Sequence, residues 1–169
     1  MHWLYHKELP APHNASAELF AEWAHKNDNG GKQTENLIHL YVLADRYGIA
    51  ELKTLTINWL FLHIDSIHSG LPSGSQIRYA FENLPTGSTL LRYLVDSYCH
   101  YAEDCVWKEE AASKLPLAFL YAALGRYVQY KHGERRSYDT LELCDYHEHK
   151  DGAERMLCTW YGVNAESVD

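Results

Sequence analysis

The strongest constraint on the fold is a pair of helical patterns joined by almost no chain. In "TENLIHLYVLADRYG" apolar residues recur at helical spacing, Thr34 fits the N-cap position and Gly48 fits the C-cap position. A second helical pattern begins near Ala50 and runs to about Ile67. The predicted apolar stripes are Leu37, Leu40, Tyr41, Ala44 and Tyr47 in the first helix and Leu52, Leu55, Trp59 and Leu62 in the second. Because the connection is so short, the two helices must pack against each other as neighbours.

The remainder of the chain also has helical periodicity. Ser73 and Ser75 are candidate N-caps of a short helix, a strong pattern runs from Thr89 to about Lys108, and Pro116 fits the first turn of another helix. The stripes are Leu91, Leu94, Val95, Tyr98, Ala102 and Cys105 in the former, and Leu117, Leu120, Tyr121, Leu124 and Val128 in the latter, with a last short helix at 153–160. The sequence contains no convincing period-two strand pattern. It therefore predicts an all-α fold, a helical array of five to six helices, with Tyr41, Tyr47 and Tyr98 in the core.

Charge and composition exclude several classes of protein. The formal net charge is −8 and the densest basic stretch, "KHGERR", is interrupted by a glutamate, so we expect no nucleic-acid binding. No apolar run approaches the roughly 18–20 residues that span a bilayer, and the first residues lack the features of a signal peptide. With four cysteines and no signal peptide, we expect a protein of the cytoplasm or nucleus whose cysteines are free thiols. We also expect no cofactor.

The segment "LELCDYHEHKDGAERMLC" at 141–158 is the one candidate metal site. Its potential zinc ligands are Cys144, His147, His149 and Cys158. The spacing Cys-x2-His is acceptable for zinc, but the two histidines would point apart on a helix and would converge only in an extended segment. The alternative is that both cysteines are small buried side chains and the histidines are solvated.

Catalytic patterns are weaker. Cys99 with His100, or Cys144 with His147, could form a nucleophile–base pair, but neither cysteine has a local signature or an orienting third group. No paired carboxylates indicate a desolvated acid–base cleft, and "NDNGGK" lacks the length and terminal residues of a P-loop. A cysteine hydrolase is therefore the weakest of the functional hypotheses.

Aromatic residues indicate a binding function. The chain has 13 tyrosines and 5 tryptophans, residue types that are enriched at protein interfaces because they combine a large contact with a polar group. Most of them pack in a core. Trp3, Tyr5, Trp23 and Trp59 are the predicted partner-binding residues.

Several motifs in order resemble a known family. "LYVLADRY" at 40–47, followed by Leu52-Lys53 and Ile57, resembles the C-terminal helical part of a BTB/POZ domain of the fungal type. The opening "WLY" and "LP" resemble the element that precedes it, and "LPSGSQIRYAFENLPTGSTLLRYLVDSY" resembles the helices that follow the BTB core. The resemblance implies a BTB/POZ-like part at 1–68 and a helical extension with a short tail at 69–169. Within the first part, the Asn, Asp and paired Gly of "HKNDNGGKQ" predict a loop at 25–33.

The resemblance also implies a function. It indicates a non-enzymatic protein–protein interaction module, in the form of a homo-oligomer or an adaptor for a cullin-type ubiquitin ligase. We find no counterpart of the sheet-bearing N-terminal half of a BTB domain, so we expect apolar helix faces that the other helices or a protein partner must cover. A zinc-binding regulatory module at 144–158 is the alternative function.

Overall fold

The computed structural model describes residues 2–11, 14–24, 31–66, 71–102, 112–131, 141–149 and 155. Its helices are α1 (His2–His6), α2 (Ala17–Ala24), α3 (Gly31–Arg46), α4 (Ala50–Ser66), α5 (Gly74–Asn83), α6 (Thr89–Tyr101), α7 (Leu117–Lys131) and a 3-10 helix (Leu143–Tyr146). These residues include no strand, so the predicted all-α fold is confirmed. Within the same ranges no helix is both long and apolar enough to cross a membrane.

Helices α3 and α4 pack as the predicted neighbours across a tight turn. Gly48 has a φ of 65°, and the N–H of Ile49 donates to the carbonyl of Ala44 at 2.8 Å, which closes the end of α3. The C-cap prediction is thus confirmed. The N-cap prediction is wrong, because α3 begins at Gly31 and Thr34 lies buried inside it. The predicted loop at 25–33 is wrong for the same reason at residues 31–33, which are helical, and its other residues lie outside the described ones. The added first turn is polar, so apolar periodicity did not reveal it.

The predicted stripes of these two helices are only partly buried. Leu37, Tyr41 and Ala44 are buried as predicted, but Tyr47 is largely exposed because α3 ends one residue before it. In α4 the buried apolar residues are Leu52, Ile57, Leu60, Phe61 and Ile64, whereas Leu55, Trp59 and Leu62 are only partly buried. Helix α4 is apolar on most of its circumference, so spacing alone could not identify the inward face.

Helices α5 and α6 have well-defined ends. Ser73 and Gln76 form a capping box at the start of α5, which confirms Ser73 as its N-cap. Gln76 also donates to the Gly31 carbonyl at 2.7 Å and so joins α5 to α3. Helix α6 begins at Thr89 as predicted and buries the predicted residues Leu91, Leu94, Val95 and Tyr98. It ends at Tyr101, and Ala102 has an extended backbone, so the predicted continuation of the helix to about Lys108 is wrong at Ala102. Residues 103–108 lie outside the described residues.

Helix α7 packs on α5 and α6 through a second apolar cluster. This cluster contains Ile77, Val95, Tyr98, Leu115, Phe119 and Ala123. The sequence predicts Pro116 in the first turn of this helix, but the helix begins at Leu117, so Pro116 immediately precedes it. Leu117, Tyr121, Leu124 and Val128 share a face as predicted, but this face is exposed and the opposite one is buried. The predicted stripe is wrong at Leu120, which packs against the second cluster.

The larger apolar cluster joins most of the remaining elements. It contains residues of α3 and α4 together with residues of α5, α6 and the 3-10 helix, and so draws on both sides of the predicted boundary at residues 68 and 69. The division into a BTB-like part and an extension stays a prediction. The last short helix at 153–160 lies outside the described residues, except for Arg155, which is helical.

Candidate functional site

The segment 141–149 is anchored on the helices by Tyr146. The ring of this residue is buried, with its centroid 5.0 Å from that of Tyr93 and 6.4 Å from that of Phe61. Its hydroxyl donates to Oδ2 of Asp96 at 2.9 Å. The 3-10 helix is therefore fixed to α4 and α6 by an aromatic contact and a buried hydrogen bond.

Asp96 is the shared polar group beneath this segment. Its carboxylate is buried in α6 and forms an ion pair with the Arg126 guanidinium of α7, whose Nη2 donates to Oδ2 at 3.0 Å and whose Nε lies 2.5 Å from Oδ1. One buried carboxylate thus connects α6, α7 and the 3-10 helix. Such a charge is tolerated in a core because it is paired and hydrogen-bonded.

Two further contacts fix the outer side of the segment. The Lys53 ammonium lies 2.8 Å from Oδ1 of Asp45 and 2.6 Å from Oε1 of Glu148, and the Arg92 guanidinium donates to the Asp145 carbonyl. Burial disfavours the charged form of Lys53, but the hydrogen bonds with Asp45 and Glu148 outweigh it and hold its pKa above the ordinary value. The charged lysine therefore links α3, α4 and the segment at neutral pH.

His147 is oriented by a side chain of α4. Its Nε2 lies 2.6 Å from Oδ1 of Asn58. Because an amide oxygen only accepts hydrogen bonds, Nε2 carries the proton in this arrangement. Burial, with a smaller contribution from His149, lowers the pKa of His147, so the neutral imidazole is favoured.

Three of the four predicted metal ligands come together. The candidate ligand atoms of Cys144, His147 and His149 all lie within 4.8 Å of one another, and Sγ of Cys144 is 3.1 Å from Nε2 of His149. The histidines follow the 3-10 helix in a non-helical stretch, where residues two apart point to the same side. This is the arrangement in which the sequence allowed convergence. Cys158 lies outside the described residues.

A cavity of about 310 Å³ lies beside the metal-ligand cluster, between the segment and α3, α4 and α6. Tyr41, Lys53, Thr89, Tyr146 and His149 are among the residues that line it. The Tyr41 hydroxyl and Thr89 Oγ1 are hydrogen-bonded at 2.7 Å. Of the three candidate ligands, His149 is the one that lines this partly polar space.

The predicted partner-binding aromatic residues differ in exposure. Trp3 is buried in the larger cluster, with the Lys7 ammonium 4.1 Å from its ring centroid, and Trp23 and Trp59 are partly buried against that cluster. Tyr5 is 80% exposed. Most of the Tyr5 ring is available to a partner, and the role of all four residues in binding stays a prediction.

The outer face of α7 carries four large apolar side chains that are exposed. Leu117 is 65% exposed, Tyr121 66%, Leu124 61% and Val128 48%. The residues are separated by four, three and four positions, which places them in one stripe along the helix. The sequence identified this stripe but gave no indication that it faces outward.

The surroundings of Cys99 favour its protonated thiol. Burial, together with the nearby charge of Asp96, raises the pKa of its thiol to about 12. The thiol is therefore protonated at neutral pH, whereas the thiolate is the nucleophilic form. This environment disfavours the thiolate that a cysteine hydrolase built on Cys99 would need, and the absence of such an activity stays a prediction.

Two contributors were missed by sequence reasoning, namely Asn58 and the Asp96–Arg126 ion pair. Asn58 lies 89 positions from His147 and Arg126 lies 30 positions from Asp96, so no local spacing connects them. The available signal for the second was a charged residue among the apolar residues of α6.

Comparisons with protein-family models, with curated proteins and with solved structures found no match to this chain.

Proposed function

We propose that this chain is a non-enzymatic protein–protein interaction module of the BTB/POZ type that acts in the cytoplasm or nucleus. The observation that carries the proposal is the exposed stripe on α7, formed by Leu117, Tyr121, Leu124 and Val128. Contiguous exposed apolar surface on a folded protein is typical of a binding site. The motif order that resembles a BTB/POZ protein supports the same class of function.

The spacing of the stripe favours a helical partner. Steps of four, three and four residues correspond to alternating a and d positions of a heptad, the pattern with which one helix packs against another. Docking of an apolar partner helix would remove these side chains from water without rearranging the inner face, where Phe119 and Ala123 are already buried. Tyr121 and Leu124 lie at the middle of the stripe and are the expected main contributors to affinity.

The resemblance specifies the partner further: this chain would be an adaptor, and its partner would be a cullin-type scaffold. The direct test is native mass spectrometry of the purified chain, alone and with a purified cullin-type scaffold. We expect a complex, and we expect Leu124→Asp to weaken it by about 30-fold, the effect of losing a contact of about 2 kcal/mol.

Leu43→Asp is the matched control, because Leu43 is a leucine of α3 that is 46% exposed and lies outside the stripe. It should leave the affinity unchanged. A chain that stays monomeric at high concentration and forms no complex with the scaffold would contradict the proposal. Equal losses in Leu124→Asp and Leu43→Asp would contradict the assignment of the surface.

A further inference from the structure

The geometry of Cys144, His147 and His149 is close to that of a zinc site. In a tetrahedral site with Zn–N and Zn–S bonds of about 2.0 and 2.3 Å, neighbouring ligand atoms are about 3.3–3.6 Å apart. Here Sγ of Cys144 is 3.1 Å from Nε2 of His149, and the three candidate ligand atoms lie within 4.8 Å of one another. Small side-chain rotations would bring all three to bonding distance of one ion.

The backbone that carries these side chains is fixed before any ion binds. Tyr146 lies between Cys144 and His147 and is buried against Tyr93. Glu148, between the two histidines, is held by Lys53 at 2.6 Å. A site on such an anchored segment loses little conformational entropy when the metal binds.

Asn58 provides the outer contact that metal-binding histidines characteristically have. A histidine ligand usually donates its second ring N–H to an acceptor, which fixes the tautomer and the ring orientation. The 2.6 Å contact from Nε2 of His147 to Oδ1 of Asn58 is of this kind. The resulting tautomer presents Nδ1 as the basic nitrogen of His147.

The ligand types select the class of metal. A thiolate and two imidazoles suit Zn²⁺ and related borderline ions, whereas Mg²⁺ and Ca²⁺ prefer oxygen ligands. We propose that Cys144, His147 and His149 bind a zinc-class divalent ion, with Asn58 orienting His147. The ion would join the C-terminal segment to α4 through the Asn58–His147 contact. The described residues contribute three of the four positions of a tetrahedral site.

The test uses the full chain, reduced and freed of metal with a chelator, then titrated with Zn²⁺ against a chromophoric competitor. We expect about one zinc per chain, and loss of binding by more than about 100-fold in Cys144→Ser, which removes a ligand. Asn58→Ala keeps all three ligands and should weaken binding by about 10- to 100-fold. Cys99→Ser and His39→Ala, which change the same residue types outside the cluster, should bind as the unmodified chain does.

A separate readout covers the case in which a variant fails to fold. Co²⁺ added to the unmodified chain should give a thiolate-to-cobalt charge-transfer band, and circular dichroism should show that each variant retains its helices. Less than about 0.1 zinc per chain, or no such band, would overturn the proposal. So would equal losses in Cys144→Ser and Cys99→Ser. Zinc binding does not depend on the interaction function, so each proposal can fail without the other.

Discussion

The 3-10 helix at Leu143–Tyr146 and the outer face of α7 differ in a way that composition alone would not predict. The segment around the 3-10 helix is rich in polar and charged residues, yet it is anchored in the structure by Tyr146 and Asp96. The outer face of α7 is apolar, yet its central residues Tyr121 and Leu124 are more than half exposed. Burial in this protein therefore depends on which neighbours can satisfy a side chain and not on its hydrophobicity alone.

The two regions also differ in what each contributes. The anchored segment gives up solvation of polar groups and replaces it with specific hydrogen bonds, which fixes side-chain directions and suits a site with defined geometry. Covering the outer face of α7 with a partner would contribute hydrophobic free energy on the order of 25 cal/mol for each Å² of apolar surface removed from water. The first region is suited to binding a small ion, and the second to binding a protein.

The largest expected effect comes from removing the carboxylate that anchors the segment. In Asp96→Ala the Arg126 guanidinium and the Tyr146 hydroxyl lose their shared acceptor in a buried place. We expect the free energy of unfolding to fall by about 3–5 kcal/mol, as measured by urea denaturation. Without this carboxylate the segment around the 3-10 helix would no longer be fixed on α6. It would then no longer differ from the outer face of α7 in being anchored.

Two control variants separate the causes in this experiment. Tyr146→Phe removes one hydroxyl and should cost about 1 kcal/mol. Glu82→Ala, at an exposed position of α5, should change stability by no more than about 0.5 kcal/mol. If Asp96→Ala were as stable as Glu82→Ala, the ion pair would not be what anchors the segment.

An intermediate effect is expected at alkaline pH beneath α7. Tyr98 packs against Phe119 with ring centroids 5.1 Å apart, and its hydroxyl donates to the Pro72 carbonyl. Burial raises the pKa of Tyr98 from 10.0 to about 12. Because the folded state holds this proton more tightly than the unfolded state, its contribution is complete below pH 10 and falls as the pH rises towards 12.

Tyr98→Phe isolates this titration. From about pH 9 to about pH 11 the unmodified chain should lose about 1.3 kcal/mol more unfolding free energy than the variant loses. The difference between the two chains removes the contribution of Cys99, which titrates in the same range. Urea denaturation at both pH values measures the effect. Parallel losses in both chains would mean that Tyr98 ionises as readily in the folded state as in the unfolded state.

The parts of the fold that sequence predicted are those with local causes. The turn at Gly48, the capping box at Ser73 and the buried stripe of α6 each depend on residues close together in the chain. The orientation of helices with apolar residues on more than one face was not predictable in the same way. In α7, Leu124 and Phe119 are equally apolar, and only the position of α5 and α6 decides which one is buried.

The candidate metal site shows the same limit. The residue types and order at 144–149 raised the possibility of zinc, but convergence required an extended backbone after the 3-10 helix, which spacing could not establish. The supporting Asn58 comes from a helix far away in the sequence. The tryptophans were selected by residue type, and Trp3 is in fact buried, because type does not specify exposure.

The smallest expected effect on stability is that of Leu124→Asp, and it tests whether the outer face of α7 is open. If water already contacts Leu124, the substitution should cost only about 0.5 kcal/mol, from the lower helix propensity of aspartate. Phe119→Ala on the inner face of the same helix should cost about 3–5 kcal/mol. Urea denaturation of both variants measures the contrast. A cost above about 2 kcal/mol for Leu124→Asp would mean that another part of this chain covers the face in solution, and the stripe would then belong to the core and not to a partner.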